Sequence, residues 1–331
     1  MNLSGGYMEQ SIARVNQRLL EVASGPISEA LATITKANLS ISESDKITWF
    51  DKLAQMSSLS QVSGKKFRAR LSIAVSSLLN LSHETASTIG AFVELVQTAS
   101  LVHDDVVDDA TTRRGHQTVN NKFGNRFAVL TGDYIISQAL NQLSQLESNG
   151  LISLFSKVTA EMTMGEAMEI ECTFAKDRSI EHYLATIALK TASLMSFCTI
   201  APCVIAKTNQ NTTEQMADFG LNLGMMFQLV DDILDFTGPD GKKKGKDFEQ
   251  GIMTHPMILL EKDDNFWEQN FENIHKQVIS TGTLNRTSEL AKFYCQKAKK
   301  NLEQLSISDK KDSYGLLTSI ADSVIERLTI S

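Results

Sequence analysis

Proline is scarce: Pro26, Pro202, Pro239 and Pro256 are the four in 331 residues. Proline breaks helix interiors, so this scarcity leaves room for long helices. Cysteine is equally sparse. Cys172, Cys198, Cys203 and Cys295 form no CxxC pair and sit at no zinc-like spacing, which speaks against a disulfide framework or a zinc module and for free thiols in a reducing cytoplasm. An excess of positive charge is also missing, with a net charge of −7 and a pI of about 5.5. Broad nucleic-acid binding needs a basic surface and is not expected, although a local basic pocket for a phosphorylated small molecule remains open. No uninterrupted apolar run reaches ~18 residues, so no transmembrane segment is expected. The opening MNLSGGYMEQ lacks a basic stretch followed by an apolar one, so no signal peptide is expected and the protein reads as cytoplasmic.

What is present is helical periodicity. Apolar residues recur at spacings of three and four over Ile12–Ile34, Phe67–Leu81, Ala86–Val107, Ala128–Leu146, Leu151–Glu171, Ile180–Ala206, Thr213–Phe236 and Leu290–Leu305. The first of these should break near Gly25-Pro26. Ile89–Val102 is apolar around most of its circumference, which predicts a helix inside a bundle. No useful strand alternation, repeat or low-complexity tract is evident. The clearest loop is GPDGKKKGKD, from Gly238 to Asp247. No linker divides the chain, so one all-α domain over residues 1–331, a helical bundle, is the economical reading.

Two acidic motifs carry the chemistry: DDVVD at Asp104–Asp108 and DDILD at Asp231–Asp235. Asp104 and Asp108 are four apart and share a helical face. Asp105 and Asp109 form a second such pair. Gln228, Asp231, Asp232 and Asp235 are read as one face of the helix Thr213–Phe236. Carboxylates crowded on an apolar helix need neutralising cations, and their oxygens are the hard ligands Mg²⁺ prefers when it bridges protein to phosphate. Alone, either motif could be a solvated acidic helix end. Two on apolar helices far apart in the chain suggest facing grips on a diphosphate across a bundle.

Basic residues supply the complement. Arg113 and Arg114 follow the first motif with guanidinium forks suited to phosphate. Lys65, Lys66, Arg68 and Arg70 precede the run Leu71–Leu81. Lys190-Thr191 interrupts an apolar stretch, where a lysine either snorkels to the surface or meets a buried diphosphate. Lys242, Lys243, Lys244 and Lys246 form either a solvated run or a cover over phosphate.

At these residues the chain resembles the polyprenyl synthetase family, the trans-type isoprenyl diphosphate synthases. The likeness runs from GKKFRARL at Gly64 through ELVQTASLVHDDVVDDATTRRG at Glu94–Gly115, FGNRFAVLTGDY at Phe123–Tyr134 and KTASL at Lys190 to FQLVDDILDFTG at Phe227. It implies the isoprenoid synthase fold, helices around a deep central cavity. It also implies condensation of isopentenyl diphosphate with an allylic diphosphate by Mg²⁺-assisted ionisation. Carried over by motif, Asp104, Asp105 and Asp108 would hold Mg²⁺ against the allylic diphosphate, and Asp231, Asp232 and Asp235 the remaining Mg²⁺. Arg113, Lys190, Thr191, Gln228 and Lys246 match allylic-substrate positions. Lys65, Arg68 and Arg114 match isopentenyl diphosphate positions. A homodimer is the family's usual assembly, with hetero-oligomers also known.

The chain departs from the family pattern in three places. Gln97 stands where a histidine usually meets isopentenyl diphosphate, Ile252 where a lysine is common, and Ala69 in place of a proline. Ala99 and Ser100 are small where short-chain members carry an aromatic. They lie roughly 6–7.5 Å along the helix from Asp104, which predicts an all-trans product of C25 or longer. Met162, Met164 and Met168 either line a deeper tunnel or fill the core. The departures at Gln97 and Ile252 also motivate a second reading, a catalytically weak or regulatory subunit. A terpene cyclase of the same fold is a third, opposed by the intact DDILD.

Overall fold

The scarcity of proline translates directly into helix. The computed structural model describes residues 3–36, 66–113, 115–238, 244–305 and 311–328, apart from the side chains of 3–5, 23–36 and 311–313. The chain divides into two compact units, Met1–Ser148 and Asn149–Ser331.

The first unit contains α1 (Leu3–Lys36), α2 (Phe67–Leu78), α3 (His83–Val107), a two-stranded hairpin of β1 (Thr112–Arg113) and β2 (His116–Gln117), α4 (Val119–Phe123) and α5 (Asn125–Ser144). The hairpin had no signature in the sequence. Helix α3 begins where the Ser82 hydroxyl accepts the Thr85 N–H, a side-chain N-cap. Ile89, Phe92, Val93, Leu95 and Ala99 on this helix are fully buried, as its all-round apolarity predicts. Gly90 lets α1 approach: a Cβ there would lie 2.8 Å from Val15 Cγ2. Arg14 and Arg18 of α1 pair with Glu84, and the Tyr7 hydroxyl donates to the Leu81 carbonyl at 2.7 Å. The break expected near Gly25-Pro26 does not occur, and α1 continues through both residues. Pro202 is likewise accommodated inside a helix. One missing N–H costs a long helix a single hydrogen bond, and the turns on either side can outweigh that.

The second unit contains α6 (Asn149–Glu171), α7 (Ile180–Ile187), a single π turn (Ala188–Ala192), α8 (Ser193–Ala206), α9 (Gln210–Thr237), the short α10 (Lys246–Glu249) and α11 (His255–Ile258), a 3-10 turn at Phe266–Glu268, α12 (Phe271–Ser280), α13 (Thr283–Glu303), α14 (Lys311–Ile325) and a 3-10 turn at Glu326–Leu328. The stretch read as one helix, Ile180–Ala206, is therefore interrupted: in the π turn the Ser193 N–H donates to the Ala188 carbonyl five residues back. The loop read over Gly238–Asp247 ends two residues early, because Lys246 already opens α10. Beyond it, Phe236, Phe248, Met253, Met257, Phe266 and Ile274 form a buried cluster that anchors the segment after the second acidic motif.

By length and apolar character, two helical stretches, His83–Val107 and Ile180–Ala206, would pass for membrane spans. Their windows are 67% and 61% buried inside the fold, so most of that apolar surface is used in packing. Core filling does not describe all three methionines of α6. Met164 is 58% exposed, while Met162 and Met168 are partly buried.

Candidate active site

The two acidic motifs fall in different units. In the first, α3 ends at Val107 and Asp108 is its C-cap, donating its N–H to the Asp104 carbonyl at 2.8 Å. Asp104 and Asp108 thus stay one turn apart, as the spacing predicts. The Asp105/Asp109 pair does not form a helical face. Asp109 lies beyond the helix with φ 47°, in the left-handed region. Asp105 turns inward, 5% exposed, and accepts from Arg113 Nε at 2.7 Å. Asn120 Nδ2 ties the helix end to the hairpin by donating to the carbonyls of Asp105 and Ala110. The hairpin thus returns Arg113 to the motif, with its Nε committed to Asp105.

Other positions in this unit sort by exposure. Gln97 and Ser100 are partly buried on α3, and Ser100 Oγ donates to the Gln97 carbonyl. Ala99 is fully enclosed. Arg68 is partly buried on α2, and next to it the Ala69 N–H donates to Glu94 Oε1 at 3.0 Å. That contact explains one departure from the family pattern, since a proline at 69 would have no N–H to give. Lys66 bonds Asn16. Lys65, Arg114, Lys242 and Lys243 lie outside the described residues.

In the second unit, Gln228, Asp231, Asp232 and Asp235 lie on the uninterrupted helix α9, where residues three, four and seven apart fall within about 100° of one another, so the four share one broad face. Within that face Asp232 is buried, while Gln228, Asp231 and Asp235 are partly buried. Asp232 is 1% exposed. It accepts from the Tyr183 hydroxyl at 2.6 Å, from Gln228 Nε2 at 3.0 Å and from the His255 N–H at 3.2 Å. Burial pushes its pKa up to about 6. The hydrogen bonds from Tyr183, Gln228 and His255 pull the other way, and the Asp231 charge adds to the rise. Thr191 donates to Gln228 Oε1 at 3.1 Å, so Thr191, Gln228, Asp232 and Tyr183 form one chain of hydrogen bonds.

Asp231 pairs with Arg327 of the last 3-10 turn, whose guanidinium also sits 5.2 Å over the Phe227 ring. Asp235 accepts the N–H groups of Lys246 and Asp247 at 3.1 and 3.3 Å. Its pKa is raised by burial despite those bonds. Asp247 is raised further by burial and by the charges of Asp235, Asp232 and Glu169.

Lys190 of the π turn is bound by Glu166, at 2.7 Å, and Glu169 of α6. Burial alone would lower its pKa. The two carboxylates outweigh burial and push it up, so the ammonium stays charged. The Lys190 side chain is 28% exposed and its ammonium is held by these two carboxylates.

Tyr183, Glu166, Glu169, Asp247 and Arg327 are site neighbours that sequence reasoning did not single out. Glu166 and Glu169 offered one faint signal, two acids three apart on a largely apolar helix. The others are joined to the motif by tertiary contact alone.

Among the described residues, no three His, Cys, Asp or Glu side chains converge as a ready-made metal site. The donor set nevertheless suits a hard divalent cation. It is all carboxylate oxygen, and burial raises the pKa of Asp232, Asp235 and Asp247, with neighbouring carboxylates adding to the rise.

A family profile for Polyprenyl synthetase matches residues 49–287. The chain belongs to the polyprenyl synthetase family. Its class is therefore that of the trans-prenyltransferases. Solanesyl diphosphate synthase 1, chloroplastic, of Arabidopsis thaliana is 35% identical over 80% of this chain and 68% of its own length. A decaprenyl diphosphate synthase from Rhodobacter capsulatus superposes with TM-score 0.81 at 25% identity, covering 98% of each chain. A polyprenyl synthase from Caulobacter crescentus CB15, complexed with calcium and isoprenyl diphosphate, superposes with TM-score 0.76 at 27% identity over 93% of this chain and 97% of that one. These likenesses place this polyprenyl synthetase in the all-α isoprenoid synthase fold.

Proposed function

We propose that the protein condenses isopentenyl diphosphate with an allylic diphosphate to give an all-trans polyprenyl diphosphate of C25 or longer. The observation that carries this reading is the Lys190–Thr191–Gln228–Asp232 cluster, a charged ammonium and an ordered hydrogen-bond chain beside the second acidic motif. The synthases for long prenyl chains among its relatives support the product class.

Asp104 and Asp108 in the first unit and Asp231 and Asp235 in the second are the residues proposed to hold Mg²⁺, with Asp105 and Asp232 supporting them from buried positions. The neighbour complexed with calcium and isoprenyl diphosphate supports a divalent cation. Bound Mg²⁺ would supply positive charge that stabilises the diphosphate as it departs. Lys190, and Arg113 through guanidinium nitrogens other than Nε, would bind the allylic diphosphate, with Lys246 beside Asp235. Lys65, Arg68, Gln97 and Arg114 are proposed for isopentenyl diphosphate. Buried apolar neighbours would keep water from the allylic cation.

We further propose that residues 1–331 act as one polyprenyl synthetase domain in a cytoplasmic homodimer. Exposed apolar side chains support a second copy: Leu130 on α5, and Met164 and Ile170 on α6. Free thiols at all four cysteines are consistent with a reducing compartment.

The test is incubation of the purified full-length chain with labelled isopentenyl diphosphate, an allylic primer and Mg²⁺, followed by extraction. A polyprenyl product supports the reading; none, with or without a partner synthase, overturns it. Product formed only with a partner favours the regulatory-subunit reading, which Gln97 and Ile252 motivate.

A further inference from the structure

The π turn at Ala188–Ala192 is walled by glycine on two sides. From α6, Gly165 meets the backbone of Lys190: a Cβ on Gly165 would lie 2.8 Å from Lys190 Cα and closer still to its nitrogen. From α9, Gly224 meets Ala192, where a Cβ would lie 2.7 Å from the Ala192 Cβ and nearer its Cα. In both cases the obstructing atoms include backbone, which a rotamer change does not move.

The two walls share a construction. Four residues after Gly165, Glu169 binds the Lys190 ammonium, with Glu166 beside it. Four residues after Gly224, Gln228 receives the Thr191 hydroxyl. Residues four apart lie on one helical face. Each helix therefore presents a glycine that admits the turn and, one turn on, a polar group that holds what the turn carries. An extra residue in a helical turn shifts the side chains around it relative to a regular α-helix, and such turns recur at functional sites.

We propose that Gly165 and Gly224 are positioning residues for the prenyl transfer. By clamping the π turn, they set where Lys190 and Thr191 meet the allylic diphosphate. This rests on the reading of Lys190 and Thr191 as allylic-substrate residues.

Gly220 provides an internal comparison. It sits one turn before Gly224 on the same helix and is as tightly packed, with a Cβ placed 2.7 Å from Met195 O and Ser196 Cα. Its neighbours are in α8, beyond the π turn. The experiment compares full-length Gly165→Ala, Gly224→Ala and Gly220→Ala for Tm, allylic KM and isopentenyl diphosphate KM, with Lys190→Met alongside. The clamp predicts that the first two raise the allylic KM by about tenfold to a hundredfold. Their isopentenyl diphosphate KM should hold within about twofold. Gly220→Ala should lower Tm to a similar degree and leave the allylic KM in place.

Equal effects from all three alanines would reduce the glycines to packing and overturn the proposal. So would an unchanged allylic KM in both clamp variants while Lys190→Met raises it. If Lys190→Met leaves the allylic KM unchanged, the allylic reading of the turn fails, and the clamp proposal with it. Should a clamp variant not fold, hydrogen exchange on the wild-type chain decides. Amides of 188–192 exchanging as slowly as those of 193–199 support the clamp, and faster exchange in the turn overturns it.

Discussion

The Tyr183 hydroxyl donates to Asp232 Oδ2 across 2.6 Å, with both side chains almost wholly enclosed. Tyr183 belongs to α7 and Asp232 to α9, so the bond joins the helix leading into the π turn to the helix carrying the second acidic motif. Removing one partner of a buried hydrogen bond leaves the other without its full complement, at a cost of about 1–3 kcal/mol. Tyr183→Phe should lose that much stability in denaturant unfolding. Stability equal to wild type would show that the bond contributes nothing net.

The raised pKa of Asp232 sets a pH dependence with a defined sign. A carboxyl whose folded pKa lies above its unfolded value stabilises fully below the unfolded value and loses that contribution as pH rises through the folded one. For Asp232 the window runs from the usual aspartate range, near 3.8, to about 6. In metal-free protein, wild type should lose on the order of 3 kcal/mol relative to Asp232→Asn as pH rises through that window. Parallel unfolding titrations of the two chains check this, and a pH-independent difference would contradict it.

Arg113 and Asp105 form a largely buried ion pair at 2.7 Å. Breaking such a pair strands a charge, at a cost of about 3–5 kcal/mol when burial is complete. Arg113 is 29% exposed, so Arg113→Leu should cost roughly 2–4 kcal/mol after that discount. Chemical denaturation measures it. A loss below ~1 kcal/mol would mark the pair as an ordinary surface contact.

Arg327 and Mg²⁺ would compete for the carboxylate of Asp231. Arg327→Ala should therefore lower the Mg²⁺ concentration giving half-maximal turnover, by about threefold or more. A magnesium titration at saturating substrates is the measurement; a higher requirement would show that Arg327 assists the metal.

Ser100 is the position for testing chain length, because it is partly exposed whereas Ala99 is fully enclosed. Ser100→Phe should shorten the product by at least one five-carbon unit, read by mass of the extracted product. An aromatic at Ala99 would overpack a filled core, at a cost of about 1–3 kcal/mol, and confuse folding with chain length.

Much of the helical architecture was legible in the sequence. Apolar periodicity over Ala86–Val107, Leu151–Glu171 and Thr213–Phe236 returns as α3, α6 and α9 with ends shifted by at most three residues. Periodicity reports which faces are buried, and burial is what holds these helices. The π turn inside Ile180–Ala206 was not legible, because one extra residue barely disturbs an apolar pattern. The short α10 and α11 and the Thr112–Gln117 hairpin lie below the length at which periodicity speaks.

The residue types alone determined that this is a helical protein with two carboxylate-rich motifs on apolar helices, because charge and spacing are local properties of the chain. Which oxygen each aspartate offers was decided by the tertiary structure. Adjacent residues in DDILD differ by about 100° around a helix, and that rotation sends Asp232 to Tyr183 and Gln228 while Asp231 meets Arg327. Nothing in a five-residue motif distinguishes them; the neighbouring elements do.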